Sequence, residues 1–425
     1  MYLTDEEKSI LQGEQGYVPQ LCMQYLLEEG EVAGAERLID LDGTADMHTP
    51  WTSMSPHYMF SLEDLRALVD TGARFKIPTF ANKAPFPCTM IHGWECCGFA
   101  PHDQKEFHDE RMERDFMDLY RKMGMLTVHS CDYYIASTYW PTMGQHCAWN
   151  ESSAIPWCNA VLGARANIDG NFAAAFLGKA PLYGMHITEN RYATVLVNSE
   201  RKISTDLEYD VYGFAVGEEC GLAVPALLNT SKPTTTQLCK INSAMNTGGS
   251  VHMYHIPGTT PEAPNLEYAF NGKKPVREVM MGEADLRKAY DILNCHTSDD
   301  VDMVYLGCPH YNMVDMMQLA HKLEGKKCKV PMWIMTIPWL YDTAVEMGYN
   351  KVFEDAGAIL MSGSCPALMG GVPKGVRNLA VDSAKQSYYI TGCYAEEDNQ
   401  LQVCYGSQDD CVDAALTGKW RGEWR

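Results

Sequence analysis

Helical and strand-like patterns alternate over the first part of the chain. Thr4 and Glu7 have the spacing of a capping box ahead of "EEKSILQGEQG", which starts a helix. "PQLCMQYLLEEGE" continues as a second helix with Gly30 near its end. "RLIDLD" reads as a short strand. "SLEDLRALVDTG" reads as a helix capped by Ser61 and stopped by Gly72, and "RFKIPTF" as the next strand. Residues 84–108 break this rhythm with proline, glycine, histidine and three cysteines, the mark of a long irregular loop. "DERMERDFMDLYRKMG" returns to helix and ends at Gly124.

Between 190 and 230, "YATVLVNS" and "DVYGFAVG" read as strands. The alternation is clearest from 301 onward. "VDMVYLG" is a strand, and "NMVDMMQLAHKLEG" a helix with Asn312 as N-cap, Asp315 three residues on and Gly325 as stop. "CKVPMWIMTI" is a strand, "DTAVEMGYNKVFEDAG" a helix broken near Gly348, and "AILMSGSC" a strand. Such an order predicts an α/β protein with parallel strands.

A chain of 425 residues is long enough for two or three subdomains. The expected internal units are 1–125, 126–295 and 296–425. The net charge of −21 argues against nucleic acid and against an anionic membrane surface as partners. No run of apolar residues is long enough for a transmembrane helix. "MYLTDEEKSILQGEQG" lacks the basic start and apolar centre of a secretory signal, so a cytoplasmic protein is expected. Its sixteen cysteines are then expected to be thiols.

Three of those cysteines share one kind of place. "MLTVHSC", "MVYLGC" and "AILMSGSC" are short apolar runs that end at Cys131, Cys308 and Cys365, each behind a small residue (Ser130, Gly307, Ser364). In a parallel sheet such positions fall at the carboxyl edge, where α/β proteins keep their sites. The separations, 308 − 131 = 177 and 365 − 308 = 57, exclude a local zinc finger, so any shared site is assembled by the fold. Three thiolates leave one vertex of a four-ligand centre open, and soft sulfur selects iron–sulfur clusters or zinc. The alternative is three buried cysteines at strand ends.

Two further stretches carry candidate chemistry. Thr247, Gly248, Gly249 and Ser250 can present backbone N–H groups to a carboxylate or phosphate, or can form a tight turn into the strand "SVHMYHI". Arg165, among the small residues of "VLGARAN", can clamp a carboxylate bidentately or form a surface ion pair.

Taken in order, these and neighbouring segments resemble the large subunit of the aconitase X family. The resemblance runs through "LTDEEKSILQGEQG", "NESSAIPWCNAVLGARAN" (150–167), "GKAPLYGMHITENR" (178–191) and "GGSVHMYHIPGTTPEA" (248–263). It continues through "LGCPH" (306–310), "SGSC" (362–365), "VDSAKQSYY" (381–389) and "CYGSQDDCVDAALTGKW" (404–420), and so spans nearly the whole chain. It implies an aconitase-like fold, several α/β units around a central cleft. It also implies an iron–sulfur cluster on Cys131, Cys308 and Cys365, as 4Fe–4S foremost, with 3Fe–4S or 2Fe–2S as other forms.

The implied activity is that of a hydro-lyase, acting on a substrate such as a hydroxyproline or a phosphomevalonate. An aconitase-type isomerase and a non-catalytic protein that retains the fold are the alternatives. Arg165, Asn82, residues 247–250 and Ser383 are the expected substrate-binding positions, with Lys385 and His310 as the expected catalytic ones. The family carries its catalytic serine on a small swivelling domain, fused or separate. This chain ends at "TGKWRGEWR" without one, so a small partner subunit is expected. "DMHTPW" (46–51) and the cysteine-rich loop depart from the family pattern. His48, His92 and His102 there belong to a changed pocket or are exposed loop residues.

Overall fold

The computed structural model describes residues 1–47, 60–81, 110–135, 139–363, 372–373, 375–393 and 401–425. Asn82, Cys365, the loop 84–108 and the histidines at 48, 92 and 102 lie outside the described residues. Among the described residues no helix is long and apolar enough to cross a membrane.

The first unit contains α1 (Asp5–Leu11), α2 (Tyr17–Val32), β1 (Leu38–Asp40), β2 (Ala45–Met47), α3 (Leu62–Asp70), β3 (Thr79–Ala81), α4 (Glu110–Lys122) and β4 (Leu126–Thr127). α5 (Ala154–Pro156), α6 (Phe172–Leu177) and β5 (Lys179–Pro181) complete it. The N-termini form as their sequences dictate: Thr4 and Glu7 exchange both bonds of a capping box, as do Ser61 and Asp64. β2, β3 and β4 make a small parallel sheet. β5 returns to pair antiparallel with β1, Leu38 opposite Pro181. Phe172 and Phe176 of α6 join Leu26, Phe60, Phe116 and Tyr120 in one core. The boundary expected at 125/126 therefore falls inside a unit: residues 126–181 cannot be peeled away without opening this core and breaking the β1–β5 pair.

The second unit contains β6 (Val195–Ile203), α7 (Asp206–Cys220), β7 (Pro225–Thr230), α8 (Thr235–Gly249), α9 (Leu266–Ala269), β8 (Arg277–Met281) and α10 (Glu283–Leu293), with the parallel order β7-β6-β8. "DVYGFAVG", expected as a strand, lies inside α7. Thr205 and Glu208 cap that helix, and Tyr209, Val211, Tyr212, Phe214 and Val216 are all buried. A helix buried on every side loses its polar face, and its aromatic and β-branched residues then imitate a buried strand.

α7 and α8 touch backbone to backbone. A Cβ built at Gly249 would stand 1.8 Å from the Gly217 carbonyl oxygen, and one at Gly248 would stand 2.4 Å from that of Phe214. "SVHMYHI" does not form a strand; a single bridge, His255 with Ala226, is all it contributes to the sheet.

The third unit contains β9 (Met303–Tyr311), α11 (Met313–Leu323), β10 (Met332–Thr336), α12 (Pro338–Glu346), α13 (Tyr349–Ala356), β11 (Ala358–Ser362), β12 (Asn378–Val381), α14 (Ala384–Cys393), β13 (Gln402–Tyr405) and α15 (Gln408–Thr417). Its five strands are all parallel, in the order β11-β10-β9-β12-β13. β9 is central, and the chain builds outward first to β10 and β11 and then, on the other side, to β12 and β13. The order reverses between β9 and β12. Such a switch point opens a crevice at the carboxyl ends of the strands.

Alanine at Gly249 forces α7 and α8 apart against rigid backbone, and overpacking of this kind costs roughly 1–3 kcal/mol. Gly249→Ala should therefore lower the thermal midpoint, while Thr235→Ala, exposed on the same helix, should not. Equal midpoints for the two variants would contradict this close approach.

Glu29 on α2 gives a second check. Burial first, and the nearby Asp169 carboxylate second, push its carboxyl from 4.5 up to about 8. A raised acid stabilises the fold below its unfolded value and loses that contribution as pH rises through the folded value. The midpoint of Glu29→Gln relative to the parent should climb from about pH 5 and level off above about pH 8. A difference that does not change with pH would count against the buried carboxyl.

Candidate active site

Cys308 lies within β9 rather than after it, at an irregular register between Ile334 and Thr336 of β10. Gly307 makes the irregularity possible. Its φ is +99°, and a Cβ there would stand 2.2 Å from the Met335 carbonyl oxygen. The Cys308–Pro309 peptide is cis. Pro309 has no N–H to place in the ladder, and the strand continues to Tyr311.

Cys131 comes from the first unit, in the loop after β4. The two thiols are near enough to influence each other electrostatically. Burial, then the Asp132 and Glu151 carboxylates, push the Cys131 thiol well above its ordinary range, with Lys385 acting the other way. A thiol in such surroundings becomes a thiolate when a metal takes the proton's place.

His310 fastens the two loops together. Its backbone N–H donates to Asp132 Oδ2 at 2.8 Å, and its ring Nδ1 lies 2.8 Å from Ser130 Oγ. Ser130 Oγ accepts the Asp132 N–H at 2.9 Å, and the Tyr134 hydroxyl donates to Asp132 Oδ1 at 2.7 Å. The histidine therefore holds the Ser130–Asp132 turn against β9.

Lys385, on the first turn of α14, is buried, and its ammonium donates to Glu151 Oε1 at 2.9 Å. It also lies 5.8 Å from the centre of the Tyr389 ring. Burial works against its charge, but Glu151, Cys131, Cys308 and Tyr389 together hold it well above its usual range. Glu151 is placed by Asp46, which accepts the Asn150 N–H at 2.9 Å, the Glu151 N–H at 3.4 Å and the Tyr133 hydroxyl at 2.5 Å. Burial pushes the Asp46 carboxyl up to about 7 despite these donors. Ser383 caps α14: its Oγ accepts the Gln386 N–H at 3.0 Å.

The structure thus brings together Cys131, Cys308, His310, Lys385 and, two residues before Lys385, Ser383. It adds Glu151, Asp132, Ser130 and Asp46. Glu151 stands in "NESSAIPW", but a lone glutamate in an irregular stretch carries no periodic signal; its role comes from Lys385, 234 residues away. The adjacency of Ser130 and Asp132 to Cys131 was the available clue for those two.

One expectation is corrected. Thr247, Gly248 and Gly249 form the last turn of α8, and Ser250 is its left-handed C-cap, its N–H donating to Asn246 O at 2.9 Å. These N–H groups are consumed by the helix, and the glycines serve its packing on α7, so no anion cradle exists there. Arg165 donates to the His186 carbonyl at 2.9 Å and lines an open cavity of 810 Å³ with Met143, Tyr192 and Glu262.

Among the described residues no group of three or more His, Cys, Asp or Glu is arranged to hold a metal ion. The third cysteine of the expected set, Cys365, comes three residues after β11 in the sequence and lies outside the described residues.

Models of the aconitase X first, second and third domains match residues 1–189, 193–291 and 301–417. The phosphomevalonate dehydratase large subunit of Thermococcus kodakarensis is 32% identical over 395 residues, covering 92% of this chain and 95% of that protein. The cis-3-hydroxy-L-proline dehydratase of Pseudomonas aeruginosa is 30% identical over 430 residues, 97% of this chain and 70% of that one. The crystal structure of Thermococcus kodakaraensis aconitase X in its holo form superposes with a TM-score of 0.77 at 30% identity, covering 98% of this chain and 100% of that chain. With three successive domain models spread over nearly its whole length and relatives this similar, the chain belongs to the aconitase X family.

Proposed function

We propose that this chain, a hydro-lyase of the aconitase X family, is the large subunit of a two-part dehydratase that removes water from a small hydroxy acid. The relatives suggest the substrate class, a phosphorylated hydroxy acid or a hydroxyproline. One observation carries the reading: the thiols of Cys131 and Cys308 meet the buried Lys385–Glu151 pair beside the switch point of a parallel sheet.

The donors fit an iron–sulfur cluster held by Cys131, Cys308 and Cys365. They are soft, Cys131 lies in the loop after β4 and Cys308 in β9, and burial leaves at least Cys131 in need of a positive centre to be ionised. A cluster held by these cysteines would supply Lewis acidity toward a substrate oxygen.

The chain's own residues supply binding and orientation. Dehydration of a β-hydroxy acid takes a proton from the carbon beside the carboxylate, breaks the neighbouring C–O bond and releases the hydroxyl as water. Lys385 is a buried cation suited to hold the substrate carboxylate and to blunt the charge that grows as the C–H bond breaks. Glu151 aims the ammonium, and Asp46 fixes Glu151 from behind. His310 keeps Cys131 and Cys308 in register by tying Ser130 and Asp132 to β9. A small subunit closes the crevice and brings the catalytic serine; the relatives named as large subunits support such a partner.

Iron and acid-labile sulfide, measured after anaerobic reconstitution, test the ligand set. Cys308→Ala should lose most of both while keeping its far-ultraviolet circular dichroism. A full complement in that variant would remove Cys308 from the set.

Turnover tests the partner. Substrates of the two classes should be dehydrated by this chain only when a small swivel-type subunit is added. Full turnover by the purified chain alone would refute the two-part reading.

A further inference from the structure

The turn that carries Lys385 is held by residues of all three units. β12 ends at Val381, Asp382 and Ser383 turn, and α14 begins at Ala384. From the front, Lys385 reaches Glu151 of the first unit. From the back, two buried charged residues of the second unit reach the same turn. Asp210, on α7, accepts the Ala384 N–H at 2.7 Å and the Tyr405 hydroxyl at 2.9 Å through Oδ2. Lys240, on α8, donates to the Asp382 backbone oxygen, and its Nζ lies 3.6 Å from Asp382 Oδ2.

We propose that Asp210 and Lys240 are positioning residues for the reaction: they fix the Asp382–Lys385 turn and so the place of the Lys385 ammonium in the crevice. The proposal rests on the dehydratase reading for its kinetic consequence, but not for its structural one.

Three features make these contacts decisive. First, Val381 and Ala384 at the two ends of the turn are buried in the apolar core, but Asp382 between them borders a cavity of 620 Å³ whose lining includes Lys240, Tyr311, Asp315 and Ser407. At Asp382 the turn therefore relies on polar contacts.

Second, Lys240 is a buried cation among carboxylates. Burial opposes its charge, but Asp382, Asp210, Asp206 and Asp315 outweigh that cost and keep it protonated. Without it, Asp210 and Asp382 would face each other across the turn uncompensated. Tyr311 alone would remain on Asp382, through its 2.6 Å bond to Oδ2.

Third, Asp210 acts where geometry matters most for Lys385. It takes the first free N–H of α14, so it sets the direction in which the helix starts. A one-ångström shift of a positioned group costs far more in rate than in stability.

Two measurements on the full-length chain with its iron loaded, and with the small subunit added where turnover is read, test this. In hydrogen exchange read by mass spectrometry, Lys240→Met should speed exchange at the start of α14 by about tenfold or more, while the body of α7 keeps its protection. In a double-mutant cycle, Lys240→Met should lower kcat/KM by about tenfold or more in the parent, yet by less than about twofold once Lys385→Gln is present. Lys240→Arg, which keeps the charge, should recover part of the loss.

An equal cost in both backgrounds, or unchanged exchange at α14, would overturn the proposal, because a merely structural residue keeps its cost whether or not Lys385 is there. If Lys240→Met does not fold, the isosteric Asp210→Asn carries the same two readouts. If the parent together with its small subunit turns over no substrate of either class, the dehydratase reading fails by itself and exchange at α14 decides the proposal.

Discussion

The site depends on one buried ion pair, Lys385 with Glu151. Its partners stand in the first and third units, so the pair fixes how those units face each other across the thiols. Taking two charges out of water is expensive, and their attraction repays that cost only in good geometry. Here the carboxylate is already oriented by Asp46, and the ammonium has Tyr389 beside it. Removing one partner of such a pair leaves a buried charge and costs roughly 3–5 kcal/mol. The pair is thus a constraint on the site as much as a part of it. Any rearrangement of the crevice must keep both charges satisfied.

Around that pair a single device is used three times. Asp46 accepts the N–H groups of Asn150 and Glu151, Asp132 accepts that of His310, and Asp210 accepts that of Ala384. Each aspartate comes from one element and takes a main-chain donor from another. A carboxylate bonded to backbone N–H groups is stiffer than a side-chain pair, because the donor has no rotamer to lose. Two of the three cross unit boundaries: Asp132 ties the first unit to the third, and Asp210 ties the second to the third. The flexible ends of lysine and histidine side chains are left for chemistry, while aspartates on rigid elements do the holding.

The parts of this that were legible in the sequence are those with local periodicity. β9, α11, β10 and β11 announce themselves through alternating apolar runs, caps and stopping glycines, and the placement of Cys131 and Cys308 after or within such runs followed from them. α7 was misread because burial on every side erased its helical stripe. Gly248 and Gly249 were misread because glycine serves equally for an anion cradle and for two backbones in contact, and only α7, whose Gly217 carbonyl oxygen would stand 1.8 Å from a Cβ at Gly249, decides between them. Arg165 carries no local signal that separates a clamp from a structural contact; its hydrogen bond is to the His186 carbonyl, 21 residues away. Glu151 had no local signal at all, since its meaning comes from a lysine more than two hundred residues away.

The strand order explains why those long-range partners had to meet where they do. In the third unit β9 is flanked by β10 on one side and by β12, from much later in the chain, on the other, so the crevice between β9 and β12 joins distant segments. Cys308 and His310 stand on β9, Lys385 on α14 after β12, and Asp210 of α7 takes the first N–H of α14. Glu151 and Cys131 come from the first unit, with Asp132 joined to the His310 backbone. No unit holds all of these residues by itself. Damage to any one unit therefore shows at the crevice, even when the altered residue never faces it.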